Sequence, residues 1–362
     1  MEQRAYIGGN FINNLQSLLE NNTSKKIFLV RSKMSYKTCG AEDIINNIIS
    51  ELDCTVLEFY NFSDNPKYED MLKGIELLEN FDADIIVAVG GGSTMDMAKL
   101  IRFFHSYKGD VTGKVFQKNN NEILPLIAIP TTAGTGAEAT HFSVLYKDKV
   151  KYSVEHDDML PDYAIIYSPF TYNNPKYLTA CTGFDALAQA IEAYWNKNAT
   201  DESDSYAEKA ISMIWNNLPI VVNNPNNQLH DKISEGAYWA GRSINITKTT
   251  APHAFSYPFT TYYNYPHGHA VAITFPFFMK LNCSNNNEKT IKLLSLLGYN
   301  SNDDLEKRML NYIDSIGLRL KKENSIDIDF VLGQVNLERL KNNPEDVDIH
   351  TLKEYLSNIY NI

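Results

Sequence analysis

The sequence predicts an α/β domain with a parallel sheet over residues 1–170, followed by an all-helical domain over residues 171–362. Three observations lead to this prediction. The chain has 362 residues, which is more than a single hydrophobic core usually supports. Short apolar runs alternate with helical patterns in the first half of the chain. After about residue 170 the β-rich runs thin out and helical spacing dominates.

Four short segments with apolar centres in the first half are predicted as strands: 25–32, 54–62, 83–92 and 125–132. Three intervening segments have apolar residues at helical spacing and are predicted as helices: 39–52, 68–81 and 95–107. Strands that are apolar on both faces are typical of a parallel sheet covered by helices on each side. The alternation therefore predicts consecutive strand–helix–strand units.

The second half carries four segments with helical apolar spacing: 184–195, 202–218, 232–246 and 303–316. Asparagine-rich stretches at 119–121, 223–228 and 285–287 have the composition of surface turns. We therefore expect a helical domain in which polar turns separate the elements.

Composition excludes several classes of protein. A net charge of -11 without any basic cluster argues against binding to nucleic acid or to anionic membranes. No apolar run approaches the roughly 20 residues of a membrane-spanning helix, and we expect no secretory signal. The four cysteines are scattered without CxxC spacing, which indicates reduced thiols and predicts a cytoplasmic protein.

Two glycine-rich segments directly follow apolar strands. Gly90–Ser93 lies between a predicted strand and a predicted helix, where backbone N–H groups and a helix N-terminus can bind a phosphate. Residues 130–138 combine glycines with threonine hydroxyls that suit a ribose or a pyrophosphate. The first loop is not GxGxxG, so either segment alone could be a plain turn. Together they favour a ligand site at the carboxyl edge of a Rossmann-like parallel sheet.

A candidate metal site lies in the second half. Asp185 and Gln189 are four residues apart in a helical run, which places them on one helix face. His253 and His267 follow later in the chain. Carboxylate, amide and imidazole groups can together bind a divalent ion. By spacing alone, core histidines are the commoner interpretation, and only the combination with the two glycine loops favours a metal.

Four blocks of sequence, in this order, resemble the iron-containing (group III) alcohol dehydrogenases. They are GGGSTMDMAK (90–99), PTTAGTGAEAT (130–140), TGFDALAQAIEAYW (182–195) and HAFSYPFTTYYNYPHG (253–268). The resemblance implies a dinucleotide-binding domain and a helical domain, with the active site in the cleft between them. It also implies reversible hydride transfer between an alcohol/aldehyde pair and NAD(P), with Fe²⁺ or Zn²⁺ polarising the carbonyl. Members of the family are commonly homodimers.

The resemblance carries over residue by residue. Asp185, His253 and His267 match three metal ligands of the family, whereas Gln189 stands where most members have histidine. The positions that fall on the family's cofactor contacts are Gly91, Gly92, Ser93, Asp96, Lys99, Thr131, Thr132, Thr135 and Lys151.

A second departure concerns proton transfer. Many members have a histidine where this chain has Tyr257, and that histidine relays protons to the alcohol. Tyrosine, with an ordinary pKa of about 10, is a poorer base at neutral pH. His269, which is not a standard position of the family, is a second candidate for the relay, and its alternative interpretation is a solvent-facing helix residue.

A third departure concerns the choice between NAD(H) and NADP(H). NAD-preferring members carry an acidic residue after the strand that corresponds to 25–32. Here Arg31, Ser32 and Lys33 occupy this place. A cation and a hydroxyl favour a 2′-phosphate, so the sequence favours NADP(H). The alternative is that the two cations are solvated surface charges.

The substrate is predicted to be a small anionic aldehyde. Arg242 and Lys248 precede the first metal histidine in a stretch that is small and apolar in the family, and His141 stands where the family often has asparagine. Cations of this kind suit a phosphonate or a phosphate, although Arg242 and Lys248 could instead face the surface or a subunit contact. Together with Gln189, these segments are similar to the phosphonoacetaldehyde reductase branch, which forms 2-hydroxyethylphosphonate.

Three other functions stay open from the sequence. The first is a generic alcohol or lactaldehyde dehydrogenase of the same family without an anion site. The second is a dehydroquinate synthase-like lyase, against which blocks 130–140 and 253–268 argue. The third is a non-catalytic binder, against which the retained ligands and both glycine loops argue.

Overall fold

The structure is a computed structural model that describes residues 3–22, 25–113, 115–148, 150–318, 326–335 and 337–360. The chain divides into two compact units, Met1–Asn174 and Pro175–Ile362. The first unit contains a parallel sheet with helices, and the second is helical. The predicted fold class is thereby confirmed.

The described residues of the first unit form ten strands: β1 (Arg4–Ile7), β2 (Lys26–Arg31), β3 (Thr55–Phe59), β4 (Ile85–Gly90), β5 (Tyr107–Lys108), β6 (Gln117–Lys118), β7 (Leu126–Pro130), β8 (Phe142–Lys147), β9 (Val150–Glu155) and β10 (Tyr163–Ile166). Six of them form one parallel sheet in the order β1-β10-β7-β4-β2-β3. The pairs β5–β6 and β8–β9 are antiparallel hairpins.

The helices of the first unit are α1 (Phe11–Asn21), α2 (Ser35–Thr38), α3 (Ala41–Glu51), α4 (Tyr68–Phe81) and α5 (Gly92–Ser106). Residues of β2 alternate between two cores: Phe28 and Val30 belong to one cluster, and Ile27 and Leu29 belong to the other. Both faces of the strand are therefore buried, which explains its unbroken apolar sequence.

The order of the strands locates a ligand-binding edge. In the sheet, β3 lies on one side of β2 and β4 lies on the other. The direction in which successive strands are added therefore reverses between β2 and β4. Ligands of open parallel sheets bind outside the carboxyl ends of the strands at such a reversal. Gly90 at the end of β4 pairs with Pro130 at the end of β7, so the two glycine-rich loops begin side by side at this edge.

The second unit contains ten helices among its described residues: α6 (Lys176–Trp195), α7 (Asp201–Ile214), α8 (Leu218–Asn223), α9 (Asn227–Thr247), α10 (Ala251–Tyr263), α11 (His267–Asn282), α12 (Glu288–Leu296), α13 (Leu305–Ser315), α14 (Ile328–Gly333) and α15 (Ile349–Tyr360). Helices α6 and α11 are buried along most of their length. None of the described helices is both long enough and apolar enough to span a membrane.

Candidate metal centre and nucleotide loops

Close packing of α11 against α6 creates the candidate metal centre. Gly268 lies so near to α6 that an added Cβ would come within 1.9 Å of the Cys181 carbonyl oxygen and 3.2 Å of the Asp185 Cβ. Only glycine allows this approach. It brings His267, the first residue of α11, beside the carboxylate of Asp185.

Asp185, His253 and His267 form a compact group whose ligand atoms all lie within 4.8 Å of one another. The Asp185 Oδ1 atom is 3.2 Å from His253 Nε2 and 3.7 Å from His267 Nε2. One carboxylate and two imidazoles are a donor set that suits Fe²⁺ or Zn²⁺. The residues present therefore fit a divalent ion.

Gln189 lies in the same cluster, one helical turn after Asp185. Its Nε2 donates a hydrogen bond of 3.3 Å to Asp185 Oδ2, and its side chain is buried. In this arrangement the amide holds the carboxylate that faces the histidines. A direct bond from the Gln189 oxygen to a metal stays a prediction.

Glu192 also belongs to the cluster, although it was not among the site residues predicted from the sequence. Its Oε1 pairs with His253 Nδ1, while its Oε2 accepts hydrogen bonds from the Thr250 backbone N–H (2.6 Å) and hydroxyl (2.8 Å). A carboxylate behind a metal-binding histidine fixes the orientation of the ring. The signal was present in the sequence, because Asp185, Gln189 and Glu192 follow the i, i+4, i+7 spacing of one helix face.

Two carboxylates, those of Asp185 and Glu192, flank the His253 ring in this cluster. Burial would lower the pKa of His253, but the charge of Glu192 and hydrogen bonds with Asp185 and Glu192 raise it to about 10. An imidazole surrounded in this way binds a cation readily, whether a proton or a metal.

The two candidates for proton transfer have different surroundings. The Tyr257 ring is parallel to the His267 ring, with an interplanar angle of 7° and centroids 5.8 Å apart. His269 is buried, and its Nδ1 is 2.7 Å from the hydroxyl of Tyr177. Desolvation raises the pKa of Tyr177 to about 12, so its hydroxyl keeps its proton at neutral pH.

The two glycine loops of the first unit approach each other closely. A Cβ on Gly92 would lie 2.8 Å from the Thr135 side chain, and one on Gly91 would lie 3.4 Å from Thr132. The Thr131 N–H donates to the Gly90 carbonyl over 2.8 Å. Gly91 caps α5, so Ser93 lies in the first turn of a 15-residue helix. The contacts therefore bring the N-terminus of α5 close to threonine side chains of the second loop, an arrangement that suits a pyrophosphate.

Asp96 and Lys99, which fall on cofactor positions by resemblance, are engaged within the protein. The Lys99 ammonium is fully buried and donates to the carbonyls of Ala137 (2.9 Å) and Phe142 (2.6 Å). Asp96 Oδ2 accepts from the Val144 N–H at 3.1 Å. Burial raises the pKa of Asp96 and lowers that of Lys99. In this structure the two residues hold the segment after the second glycine loop against α5.

Arg31 and Ser32 lie at the reversal point of the sheet. The Arg31 guanidinium is 5% exposed and donates through Nε (2.9 Å) and Nη2 (2.7 Å) to Glu58 Oε2. It also lies 3.8 Å from the centroid of the Tyr60 ring. The Ser32 hydroxyl pairs with that of Ser35. The cation expected to favour a 2′-phosphate is therefore neutralised by a carboxylate on β3, and the preference for NADP(H) stays a prediction.

Comparison with known proteins agrees with this site. Residues 2–168 match the model of the iron-containing alcohol dehydrogenase family, and residues 179–338 match that of its C-terminal domain. Long-chain-alcohol dehydrogenase 1 of Geobacillus thermodenitrificans is 30% identical over 82% of this chain and 76% of its own length. A 1,3-propanediol dehydrogenase of Citrobacter freundii is 32% identical over 76% of this chain and 73% of its own length.

The chain belongs to the iron-containing alcohol dehydrogenase family. It is an NAD(P)-dependent oxidoreductase that uses a divalent metal. Among solved structures, sulfoacetaldehyde reductase of Bifidobacterium kashiwanohense in complex with NAD⁺ superposes with a TM-score of 0.90 at 28% identity. The match covers 99% of this chain and 97% of that protein. The expected family and the class of enzyme are thereby confirmed.

The predicted substrate residues of this iron-containing alcohol dehydrogenase are distributed over both units, one in the first and two in the second. In the first unit, His141 Nε2 lies 3.3 Å from Glu155 Oε1, and Lys151 lies on the same β8–β9 hairpin. Arg242 lies on α9, 5.2 Å from the centroid of the Tyr206 ring on α7, and donates to the Tyr238 hydroxyl over 3.3 Å. Neither arrangement by itself indicates an anion site.

Lys248 lies in the short segment that joins α9 to α10. It is the C-cap of α9 and is exposed. Two residues later, Thr250 binds Glu192, the partner of His253. The chain segment of Lys248 therefore contacts the supports of the candidate metal centre.

Proposed function

We propose that the enzyme reduces a small aldehyde that carries an oxyacid anion, with phosphonoacetaldehyde as the preferred substrate and 2-hydroxyethylphosphonate as the product. The observation that supports this most directly is the backbone conformation of Lys248. Its φ of 63° and ψ of 179° lie in a region that is essentially restricted to glycine. Residues held in such conformations cluster at ligand-binding sites, and here the strained residue is a lysine.

A comparison also supports an anionic substrate. The solved structure of sulfoacetaldehyde reductase resembles this chain over almost its full length. A sulfonate and a phosphonate are both tetrahedral oxyanions, and a lysine ammonium can bind either of them. The shared chemistry therefore favours an aldehyde with a charged end.

In the proposed reaction, Asp185, His253 and His267 would hold the divalent ion, and the two glycine loops would hold the dinucleotide. When bound, the ion supplies a Lewis acid and the reduced nicotinamide supplies a hydride. Glu192 orients the His253 ring and neutralises charge behind it. Gln189 holds the Asp185 carboxylate from its other side.

The protein also has to supply a proton to the nascent alcohol. We assign this proton to the hydroxyl of Tyr257, whose ring lies against His267. The His269–Tyr177 pair offers a second source, because the Tyr177 side chain is 47% exposed and can exchange protons with solvent. In both cases the donating atom is an O–H or N–H of this chain.

A generic alcohol dehydrogenase is the second candidate function. It is favoured by relatives at 30% identity or more, which are named for long-chain alcohols, butanol and 1,3-propanediol. These substrates are neutral. An enzyme of this type would not need a cation at position 248.

A substrate profile with the metal-loaded enzyme separates the two functions. We expect phosphonoacetaldehyde to be reduced with a kcat/KM at least about tenfold higher than that of butanal, which corresponds to one charge-assisted contact. Sulfoacetaldehyde should lie between the two. Each aldehyde is assayed with NADH and with NADPH. Equal efficiencies for the charged and neutral aldehydes would rule out the anion site and favour the generic dehydrogenase.

A further inference from the structure

Side chains hold the backbone of residues 248–250 at three successive positions. The contacts are Asn196 Nδ2 to the Lys248 carbonyl (3.1 Å), Asn342 Nδ2 to the Thr249 carbonyl (3.2 Å) and the Thr250 N–H to Glu192 Oε2 (2.6 Å). All three partners come from elements outside the segment. The segment is therefore fixed largely by the surrounding structure, with one local bond from the Thr247 hydroxyl to the Lys248 carbonyl (2.9 Å).

This fixation explains how Lys248 keeps its unusual conformation. A non-glycine residue at φ 63° and ψ 179° persists only where neighbouring groups over-determine its backbone. The carbonyl of Lys248 accepts from Asn196 and from the Thr247 hydroxyl, whereas the Thr249 carbonyl accepts from Asn342. If the Asn342 bond is lost, the Thr249 carbonyl is released, the backbone on the C-terminal side of Lys248 can relax, and the lysine side chain changes direction.

Asn342 is itself anchored by its neighbour. Asn343 is fully buried and exchanges two hydrogen bonds with Asn282 of α11, at 2.9 and 2.8 Å. Helix α11 begins with His267, one of the candidate metal ligands. Residues 342–343 therefore link the Thr249 carbonyl to α11, the helix that begins with the candidate metal ligand His267.

We propose that Asn342 and Asn196 are positioning residues for substrate specificity, which hold Lys248 so that its ammonium binds the oxyanion of the aldehyde substrate. We call Asn196, Asn342 and Asn343 the asparagine clasp. The inference rests on the proposed function, because it takes Lys248 as the residue that binds the anion. It adds that a segment about 90 residues beyond Lys248 determines this specificity.

The test compares Asn342→Ala with a matched control, Asn302→Ala. Asn302 Nδ2 also donates to a backbone carbonyl of the second unit, that of Cys283 at 3.3 Å, whereas Asn342 Nδ2 donates to the Thr249 carbonyl. For each variant, KM is measured for phosphonoacetaldehyde and for butanal. A merely structural role would move the two KM values together, whereas a positioning role changes their ratio.

We expect Asn342→Ala to raise the ratio of KM for phosphonoacetaldehyde to KM for butanal by about fivefold, the usual effect of one hydrogen bond. Asn302→Ala should leave this ratio within about twofold of the wild type. In a Lys248→Met background the Asn342 substitution should change the ratio no further, because the group that it positions is gone. The unfolding temperature of each variant checks that it is folded, and Asn342→Ser replaces Asn342→Ala if the latter is not.

Three results would contradict the inference, and each leads to a different conclusion. If Lys248→Met raises the ratio but Asn342→Ala does not, the anion site stands and the asparagine clasp is overturned. If Lys248→Met leaves the ratio unchanged, Lys248 does not bind the anion, and the proposed specificity is overturned together with the clasp. An equal rise in both KM values on Asn342→Ala would also overturn it, since this result indicates general loss of structure.

Discussion

At the scale of single residues, the candidate metal centre is defined by charge as much as by ligand type. The sequence was sufficient to single out Asp185, His253 and His267, because their blocks resemble those of the family. It did not identify Glu192, since a glutamate in a helix is usually a surface residue. Only the structure shows that its side chain is 0% exposed and bonded to His253.

The role of Glu192 leads to a prediction about metal affinity. Replacing Glu192 by glutamine keeps the shape but removes the charge behind His253, so the affinity for Zn²⁺ should fall about 10- to 100-fold. Competition with a chromophoric chelator measures this directly. Glu20→Gln, on the exposed surface of α1, serves as the control. Unaltered metal affinity in the Glu192 variant would show that this carboxylate does not support the ligand.

Gln189 allows a second test at the same site. Its amide donates to Asp185 in this structure, whereas a histidine there would add an imidazole ligand. We expect Gln189→His to bind Zn²⁺ at least about tenfold more tightly, because imidazole is a stronger donor than an amide oxygen. The preference for phosphonoacetaldehyde over butanal should be kept. Unchanged affinity, measured by the same competition, would mean that position 189 does not reach the ion.

A buried carboxyl group in the first unit predicts a pH effect on stability. Burial raises the pKa of Glu138 from 4.5 to about 7. Between these values the folded protein keeps a proton that the unfolded chain releases, so stability falls as pH rises from 4.5 to 7. The loss is about 3 kcal/mol for a shift of this size. Urea unfolding at pH 5 and pH 7.5 measures it, and Glu138→Gln should remove this part of the pH dependence. An unaltered slope in the variant would contradict the assignment.

At the scale of elements, the apolar runs predicted the buried strands and the main helices well. The predicted helix at 68–81 has the same bounds as α4, and the predicted strands at 83–92 and 125–132 contain β4 and β7. The short strands β1 and β10 were missed, because four residues are too few for a periodic signal. The β8–β9 hairpin was missed because half-buried, mixed residues resemble a loop.

The contact between α6 and α11 can be tested with one methyl group. A Cβ at Gly268 would collide with the Cys181 carbonyl, so Gly268→Ala should push the helices apart and separate His267 from Asp185. We expect a loss of about 1–3 kcal/mol in stability and weaker binding of Zn²⁺. Gly333→Ala is the matched control, because a Cβ there meets nothing within 4 Å. Equal stability of both variants, measured by urea unfolding, would refute the close packing.

The ends of β2 and β3 lead to a prediction about the dinucleotide. Glu58 neutralises Arg31 and is itself partly exposed. Glu58→Gln should therefore strengthen the binding of NADPH relative to NADH by about tenfold, since a carboxylate repels a 2′-phosphate and a released arginine attracts it. Fluorescence titration gives both dissociation constants without turnover. A ratio equal to that of the wild type would show that this pair lies away from the ribose.

At the scale of the whole molecule, family membership follows from both halves of the chain. The order of the blocks was enough to predict the family and the fold class. The sequence could not show which of its cations contact the supports of the metal centre, because that depends on how distant segments fold together. Arg242 and Lys248 are only six residues apart, yet Arg242 packs against α7 whereas the segment of Lys248 is bonded to Glu192 through Thr250.

The central claim is that one buried divalent ion, held by Asp185, His253 and His267, supports reduction of an anionic aldehyde. The most direct test is to titrate metal-free protein with Fe²⁺ or Zn²⁺ and to follow NAD(P)H oxidation with phosphonoacetaldehyde and with butanal. We predict that activity rises with bound ion, saturates at a single ion per chain, and favours phosphonoacetaldehyde. Full activity in the metal-free protein, or equal kcat/KM for the two aldehydes at saturation, would contradict the claim.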